Sequence, residues 1–190
     1  EELKSSPIAL STKLANEQHY EVPPAFFQEI MGAHLKYSCG WFDKNTISLD
    51  EAEENMLQLY IERLDIKNNQ KILDLGCGWG SFSLYAAAKF PNSTFVAVSN
   101  SNDQIEFINN TATARSLKNI KAIKQDMNNL SLDESFDRII SIEMFEHMRN
   151  YGALLKKLRS HLHNDGKMFV HIFTHRDHPY PYEVRGPSDW

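Results

Sequence analysis

The chain has 190 residues, 42% of them hydrophobic and 24% charged, and a formal net charge of −5. That is enough for one domain with a real core, and it gives no general electrostatic reason to hold nucleic acid, or to bind an anionic membrane beyond peripheral contact. Two separated cysteines, Cys39 and Cys77, argue against a disulfide framework or a structural zinc site, and no apolar run approaches the ~20 residues of a membrane-spanning helix. A cytoplasmic protein is the expectation, although a chain starting at Glu1 leaves an upstream targeting segment open.

In chain order, residues 1–18 are polar and without period, and read as an arm or a loose first helix. Pro23 and Pro24 open an amphipathic helix that Gly32 can end; its Phe26, Phe27 and Met31 could line an entrance or be ordinary core. Ser48 and Glu51 form a capping box for a helix that buries Ala52, Met56, Leu59, Tyr60 and Leu64. From Lys71 onward, strand-length apolar runs at 71–75, 94–99, 120–124, 137–142 and 167–173 alternate with helical patterns at 81–89, 101–116 and 151–162. A second capping box, Ser101 with Gln104, starts the helix after the second strand. This alternation predicts an α/β fold, a doubly wound, mostly parallel Rossmann-like sheet preceded by N-terminal helices. Its fifth strand would be an open edge, and the proline-rich tail from Arg176 reads as a loop leading to further C-terminal structure.

The strongest signal is Asp74-Leu75-Gly76-Cys77-Gly78-Trp79-Gly80-Ser81, a buried strand running through a glycine turn into a helix. Glycines allow close backbone approach to a ligand, and the helix start offers N–H groups and a positive dipole end. The spacing is GxGxG rather than GxGxxG, and the acid, Asp74, precedes the glycines. The second strand ends in Ser99-Asn100-Ser101 with no acid at its tip, which disfavours a dinucleotide.

With these residues the chain resembles class I S-adenosylmethionine-dependent methyltransferases, and more narrowly the cyclopropane fatty acid synthase superfamily, which includes the coclaurine N-methyltransferase-like enzymes. His19 to Pro23, Tyr37-Ser38-Cys39, Ser99-Asn100-Ser101 with Gln104, and Phe145-Glu146-His147-Met148 carry the resemblance beyond the glycine loop. It implies S-adenosylmethionine as cofactor. Tyr37 and Ser38 would close over it, and Asp74, Gly76 and Gly78, in the loop with Cys77, Trp79 and Gly80, would hold its methionine end. Ser99 and Gln104, beside Asn100, would meet the ribose, Asp126 and Met127 would flank the adenine, and Ile142 would lie below the reacting centre. On this division, residues 1–66 form a helical lid, 67–175 the cofactor-binding core and 176–190 a connecting loop.

The resemblance leaves two chemistries open. In the amine branch, Glu146 and His147 would orient a small-molecule amine and remove a proton, with Glu143 adding to an acidic wall. In the lipid branch, Cys39, Glu146 and His171 would hold a bicarbonate that deprotonates a methylated unsaturated lipid. A non-catalytic cofactor-binding module is the third reading. Cys39 and His171 could equally be packing residues, as could Cys77, and Trp79 is either packing or a shield. His171, His175 and His178 lack the supporting ligands of a metal site, so none is expected. His161 and His163 read as structural residues at a helix end. Oligomeric state is not legible in the sequence.

Overall fold

The computed structural model describes residues 2–10 and 23–177. His19 to Val22, invoked for the resemblance, lie outside the described residues, as do His178 and the tail beyond it.

Among the described residues the elements are α1 (Glu2–Ser5), α2 (Pro24–Ile30), α3 (Leu49–Leu64), β1 (Lys71–Leu75), α4 (Ser81–Lys89), β2 (Thr94–Ser99), α5 (Asn102–Ala114), β3 (Ile120–Lys124), β4 (Phe136–Ile142), α6 (Tyr151–Ser160) and β5 (Leu162–His171). The strands form one sheet in the order β3-β2-β1-β4-β5, with every neighbouring pair parallel. This is the expected Rossmann-like architecture.

β1 is central and buried from Ile72 to Leu75, and its alternating side chains feed two cores. Ile72 joins Leu57, Tyr60, Ile61 and Leu64 of α3 and Phe82 and Ala86 of α4 on one face. Leu73 and Leu75 join Leu154 and Leu158 of α6 on the other. Full burial of each aliphatic side chain stabilises by roughly 1.5–3 kcal/mol, so helices on both faces follow from a strand that is apolar on both sides. Asp74 points to the same face as Ile72, toward α4, where Ser83 Oγ donates to its carboxylate at 2.7 Å.

Both caps form, but not as reciprocal boxes. Ser48 Oγ accepts from the Glu51 N–H at 3.2 Å, whereas the Glu51 carboxylate accepts from Ile47 N, one residue before the cap. Ser101 Oγ accepts from Gln104 N, while the Gln104 amide oxygen turns inward to accept from Ser99 Oγ at 2.6 Å. The buried Arg138 guanidinium bonds the Leu64 and Asp65 carbonyls and so satisfies the C-terminus of α3.

Several expectations need correction. Residues 8 and 9 are no arm: Ile8 and Ala9 are buried, Ala9 bridges to Met148, and Asn150 donates to the Lys4 and Ser6 carbonyls. α2 ends at Ile30 with Met31 as its C-cap, so Gly32 follows the helix end as expected, and it also allows close approach, since a Cβ there would lie 2.7 Å from Asp50 Oδ1. β5 begins at Leu162 rather than 167, because Leu162 pairs with Phe136 across an irregular register. His163 consequently lies in a strand, and His161 caps α6. Among the described residues no helix is long and apolar enough to cross a membrane.

Candidate active site

The glycine turn sits at the carboxyl end of β1, between β2 and β4, where open parallel sheets bind ligands. Gly76, Gly78 and Gly80 have φ of 78°, 52° and 77°, in the left-handed region that favours glycine. Gly76 also has no room for a side chain, since a Cβ would lie 2.5 Å from Met144 Cγ. At Gly78 a Cβ would meet nothing within 4 Å, so the backbone there faces open space. The N–H groups of Gly76 and Cys77 both donate to the Val98 carbonyl, tying the turn to β2. Gly80 caps α4 without a side-chain acceptor, so that helix start keeps its donors for a ligand.

The turn opens on a cavity of about 250 Å³. Of the residues expected to hold a cofactor, Tyr37, Ser38, Asp74, Gly76, Cys77, Gly78, Trp79, Gln104 and Ile142 line it. Gly80 lies behind the turn against Ile108. Ser99 reaches the cavity indirectly, through its bond to Gln104, and Asn100 follows it at the tip of β2. Asp126 and Met127 are not in the wall: Asp126 caps a short 3-10 turn through Asn128 N, and Met127 is buried in the core. Trp79 is both packing and wall, 2% exposed, with Phe27 at 5.1 Å and Phe107 at 5.5 Å.

Three buried polar atoms at this wall lack a hydrogen-bond partner: Trp79 Nε1, Ser81 Oγ and Gln104 Nε2. Buried polar groups are normally paired, so these suit a ligand with acceptors along its length. Asp74 supplies the opposite pole, an acid whose pKa burial pushes up to about 7, against the opposing Ser83 bond. A cationic group placed beside it would favour the ionised form. The wall therefore fits an elongated ligand carrying an ammonium and several polar atoms.

The far end of the cavity gathers the acidic wall. Glu143 follows β4 with φ of 47°, a conformation few non-glycine residues adopt, and its N–H donates to the His171 carbonyl at 2.8 Å. Its carboxylate accepts from the Cys39 N–H at 3.1 Å. Glu143 and His147 line the cavity. Glu146 stands just behind, its Oε1 accepting from Phe173 N at 2.8 Å and its buried Oε2 without a partner. Burial raises the Glu146 pKa. Cys39 Sγ lies 4.0 Å from His171 Nε2, and burial with the nearby Glu143 carboxylate raises the thiol pKa. A ligand atom each of Cys39, Glu143 and His171 lie within 4.8 Å of one another. The acid that meets Cys39 and His171 is thus Glu143 rather than Glu146, because the left-handed turn at Glu143 swings its side chain toward Cys39.

Several site groups escaped sequence reasoning. Lys36 is 5% exposed and donates to Ser38 Oγ and to Tyr60 OH, and Tyr60 OH lies 2.6 Å from His171 Nδ1. Glu53, 1% exposed on α3, accepts from the N–H groups of Gly32, His34 and Lys36 and so fixes the loop that carries Tyr37 and Ser38. A glutamate on the apolar face of an amphipathic helix was the available signal for Glu53; for Lys36 the sequence offers none.

The family model described as mycolic acid cyclopropane synthetase matches residues 10–190. An (S)-coclaurine N-methyltransferase of Thalictrum flavum subsp. glaucum is 40% identical over 188 residues, covering 99% of this chain and 52% of that protein. A hydroxymycolate synthase of Mycobacterium tuberculosis is 29% identical over 95% of this chain and 60% of its own length. A crystal structure of coclaurine N-methyltransferase bound to N-methylheliamine and SAH superposes with a TM-score of 0.93 at 39% identity, covering 100% of this chain and 55% of that one. A mycolic acid cyclopropane synthase complexed with SAH and CTAB gives 0.76 at 25% identity, over 86% of this chain and 57% of that one. The chain spans about half the length of the curated relatives it matches. With this sheet, this glycine turn and a family match over nearly its whole length, the chain belongs to the mycolic acid cyclopropane synthetase family.

Proposed function

We propose that this chain is the cofactor-binding half of an S-adenosylmethionine-dependent N-methyltransferase acting on a small-molecule amine. When bound, S-adenosylmethionine would supply an electrophilic methyl group on its sulfonium. Asp74 would face the ammonium of its methionine end, with Ser81 and Gln104 meeting its polar groups and Trp79 excluding water. SAH, the demethylated form of that cofactor, is bound in solved relatives, which supports the assignment.

One observation carries the choice of acceptor: two carboxylates and a histidine follow β4, with Glu143 and His147 lining the cavity and Glu146 behind them, bonded to the N–H of the cavity residue Phe173. An amine reaches the site mainly as a cation, which such a wall attracts, and it must lose a proton to become nucleophilic. Glu146, whose pKa burial raises, and His147, at the cavity wall, are the groups to take that proton. Alignment of the amine and exclusion of water complete the chemistry the protein itself must provide. Relatives named (S)-coclaurine N-methyltransferase and pavine N-methyltransferase support the same choice.

The lipid reading has Cys39 and His171 in its favour, yet the residues present do not suit bicarbonate. A Glu143 carboxylate already takes the Cys39 N–H and stands within 4.8 Å of both partners, where a second anion would be repelled. We place the protein in the cytoplasm, in keeping with free thiols at Cys39 and Cys77.

The test is to incubate the complete gene product with methyl-labelled S-adenosylmethionine and host-cell extract, then partition the label. Label in basic, water-soluble molecules is the expected outcome, and Glu146→Gln should lower it about 100-fold or more while cofactor binding persists. Label in saponifiable lipid would overturn the amine reading in favour of the lipid one. Cofactor binding without any transfer would favour a non-catalytic module.

A further inference from the structure

The methyl-transfer reading makes no use of Lys36, although it is a nearly enclosed cation at the wall of the cavity. Its ammonium meets hydroxyls rather than a carboxylate. It donates to Ser38 Oγ and, at 3.3 Å, to Tyr60 OH, and lies 5.0 Å from the centre of the Tyr60 ring. The same phenol lies 2.6 Å from His171 Nδ1, and the opposite edge of that imidazole, Nε2, faces Cys39 Sγ at 4.0 Å. Lys36, Tyr60 and His171 therefore form a continuous chain from a buried cation to the reacting end of the cavity.

Counting protons gives the chain a direction. An ammonium can only donate, so the phenol oxygen accepts from Lys36. The Ser38 hydroxyl, which itself accepts from Lys36, donates to the same phenol oxygen, so both its lone pairs are taken and the single phenol proton is left for His171 Nδ1. A neutral imidazole that accepts at Nδ1 carries its own N–H at Nε2. We infer that Lys36 is a positioning residue which, through Tyr60, fixes His171 as the Nε2–H tautomer, so that His171 presents a donor rather than a base toward Cys39 and Glu143. For an amine acceptor this leaves proton removal to Glu146 and His147, a consequence that rests on the N-methylation reading. The tautomer itself does not rest on it.

Protonation states agree with this direction. Burial raises the Tyr60 phenol well above its ordinary range, so its proton stays in place. Burial lowers Lys36 to about 8, leaving it mostly charged at pH 7. The groups facing Lys36 are Glu53 and Tyr60 of α3, Ser38 and Cys39 of its own loop, and Glu143 after β4. Above pH about 8 the neutral amine can accept from the phenol, and the direction is no longer enforced.

The experiment is long-range proton–nitrogen NMR of the full chain carrying ¹⁵N-histidine, with the His171 signals identified by their loss in His171→Gln. At pH 6.5–7 the expected wild-type pattern is a single Nε2–H tautomer at His171. Lys36→Met should give a mixture of tautomers. Tyr60→Phe removes the donor to Nδ1 while leaving Lys36 in place, and should give the same mixture should the first variant not fold. An Nδ1–H tautomer in the wild type, or an unchanged pattern in either folded variant, overturns the inference. The spectrum needs no turnover, so its failure is separate from a failure of the methyl-transfer reading.

Discussion

Asp74 should make the protein less stable as pH rises, and removing its charge should abolish that trend. The carboxyl is 2% exposed, sits mid-sheet between Ala97 of β2 and Ile140 of β4, and accepts one hydrogen bond, from Ser83. Burial moves its pKa from 3.8 to about 7. A shift of that size corresponds to about 4 kcal/mol. Between those two values the folded protein holds a proton that the unfolded chain has released, so stability falls with rising pH across this window. Below it both states are protonated, and above it the full loss is present. Asp74→Asn keeps an acceptor for Ser83 and removes the charge. Relative to wild type it should gain little near pH 4 and up to about 4 kcal/mol at pH 8, as an order of magnitude. Urea unfolding of both proteins at pH 4.5, 6 and 8 reads the difference directly. A difference that stays constant with pH, or grows toward acid, would refute the reasoning. The proposed cofactor should reverse the balance. Its ammonium favours ionised Asp74, so wild-type affinity should drop as pH falls below about 7, and Asp74→Asn should bind weakly at every pH.

Three further outcomes follow from the geometry. Glu53→Ala leaves the Gly32, His34 and Lys36 N–H groups without their acceptor and should lower stability by roughly 3–5 kcal/mol, seen as a lower urea midpoint; a change under 1 kcal/mol would mean water replaces it. Gly78→Ala should fold with a loss of about 1–2 kcal/mol from its positive φ yet bind S-adenosylmethionine poorly, because its Cβ enters open cavity, whereas Gly76→Ala collides with Met144 and should unfold the turn itself. Calorimetry and cofactor titration together distinguish the two, and equal effects would contradict this account. Cys39 should alkylate with iodoacetamide more slowly at pH 8 than a free thiol, and Glu143→Gln should accelerate it by removing the neighbouring carboxylate. An unchanged rate in the variant would show that Glu143 does not hold the thiol protonated.

The sequence by itself determined the sheet, the glycine turn and the position of the candidate acids along the chain. Strand and helix periods are local, and Asp74 to Ser81 carries its turn geometry in its own glycines, so three of the strands occupy the spans their composition predicts. Caps were legible for the same reason, because Ser48 and Ser101 bond N–H groups three residues away. What only the tertiary structure decided were pairings across long stretches of chain. Glu143 rather than Glu146 meets Cys39 because a left-handed turn after β4 redirects a side chain toward a residue 104 positions earlier. Tyr60 read as ordinary core until β5 brought His171 to its hydroxyl, 111 positions away. Ile8 and Ala9 looked like part of a polar arm, since two adjacent apolar residues are too few to show a period, and only the groove beside Met148 and Asn150 gives them a place to bury. Spacing records which side chains share a helix face or strand face; which faces meet, and so which buried polar groups must satisfy one another, is set by how the layers pack.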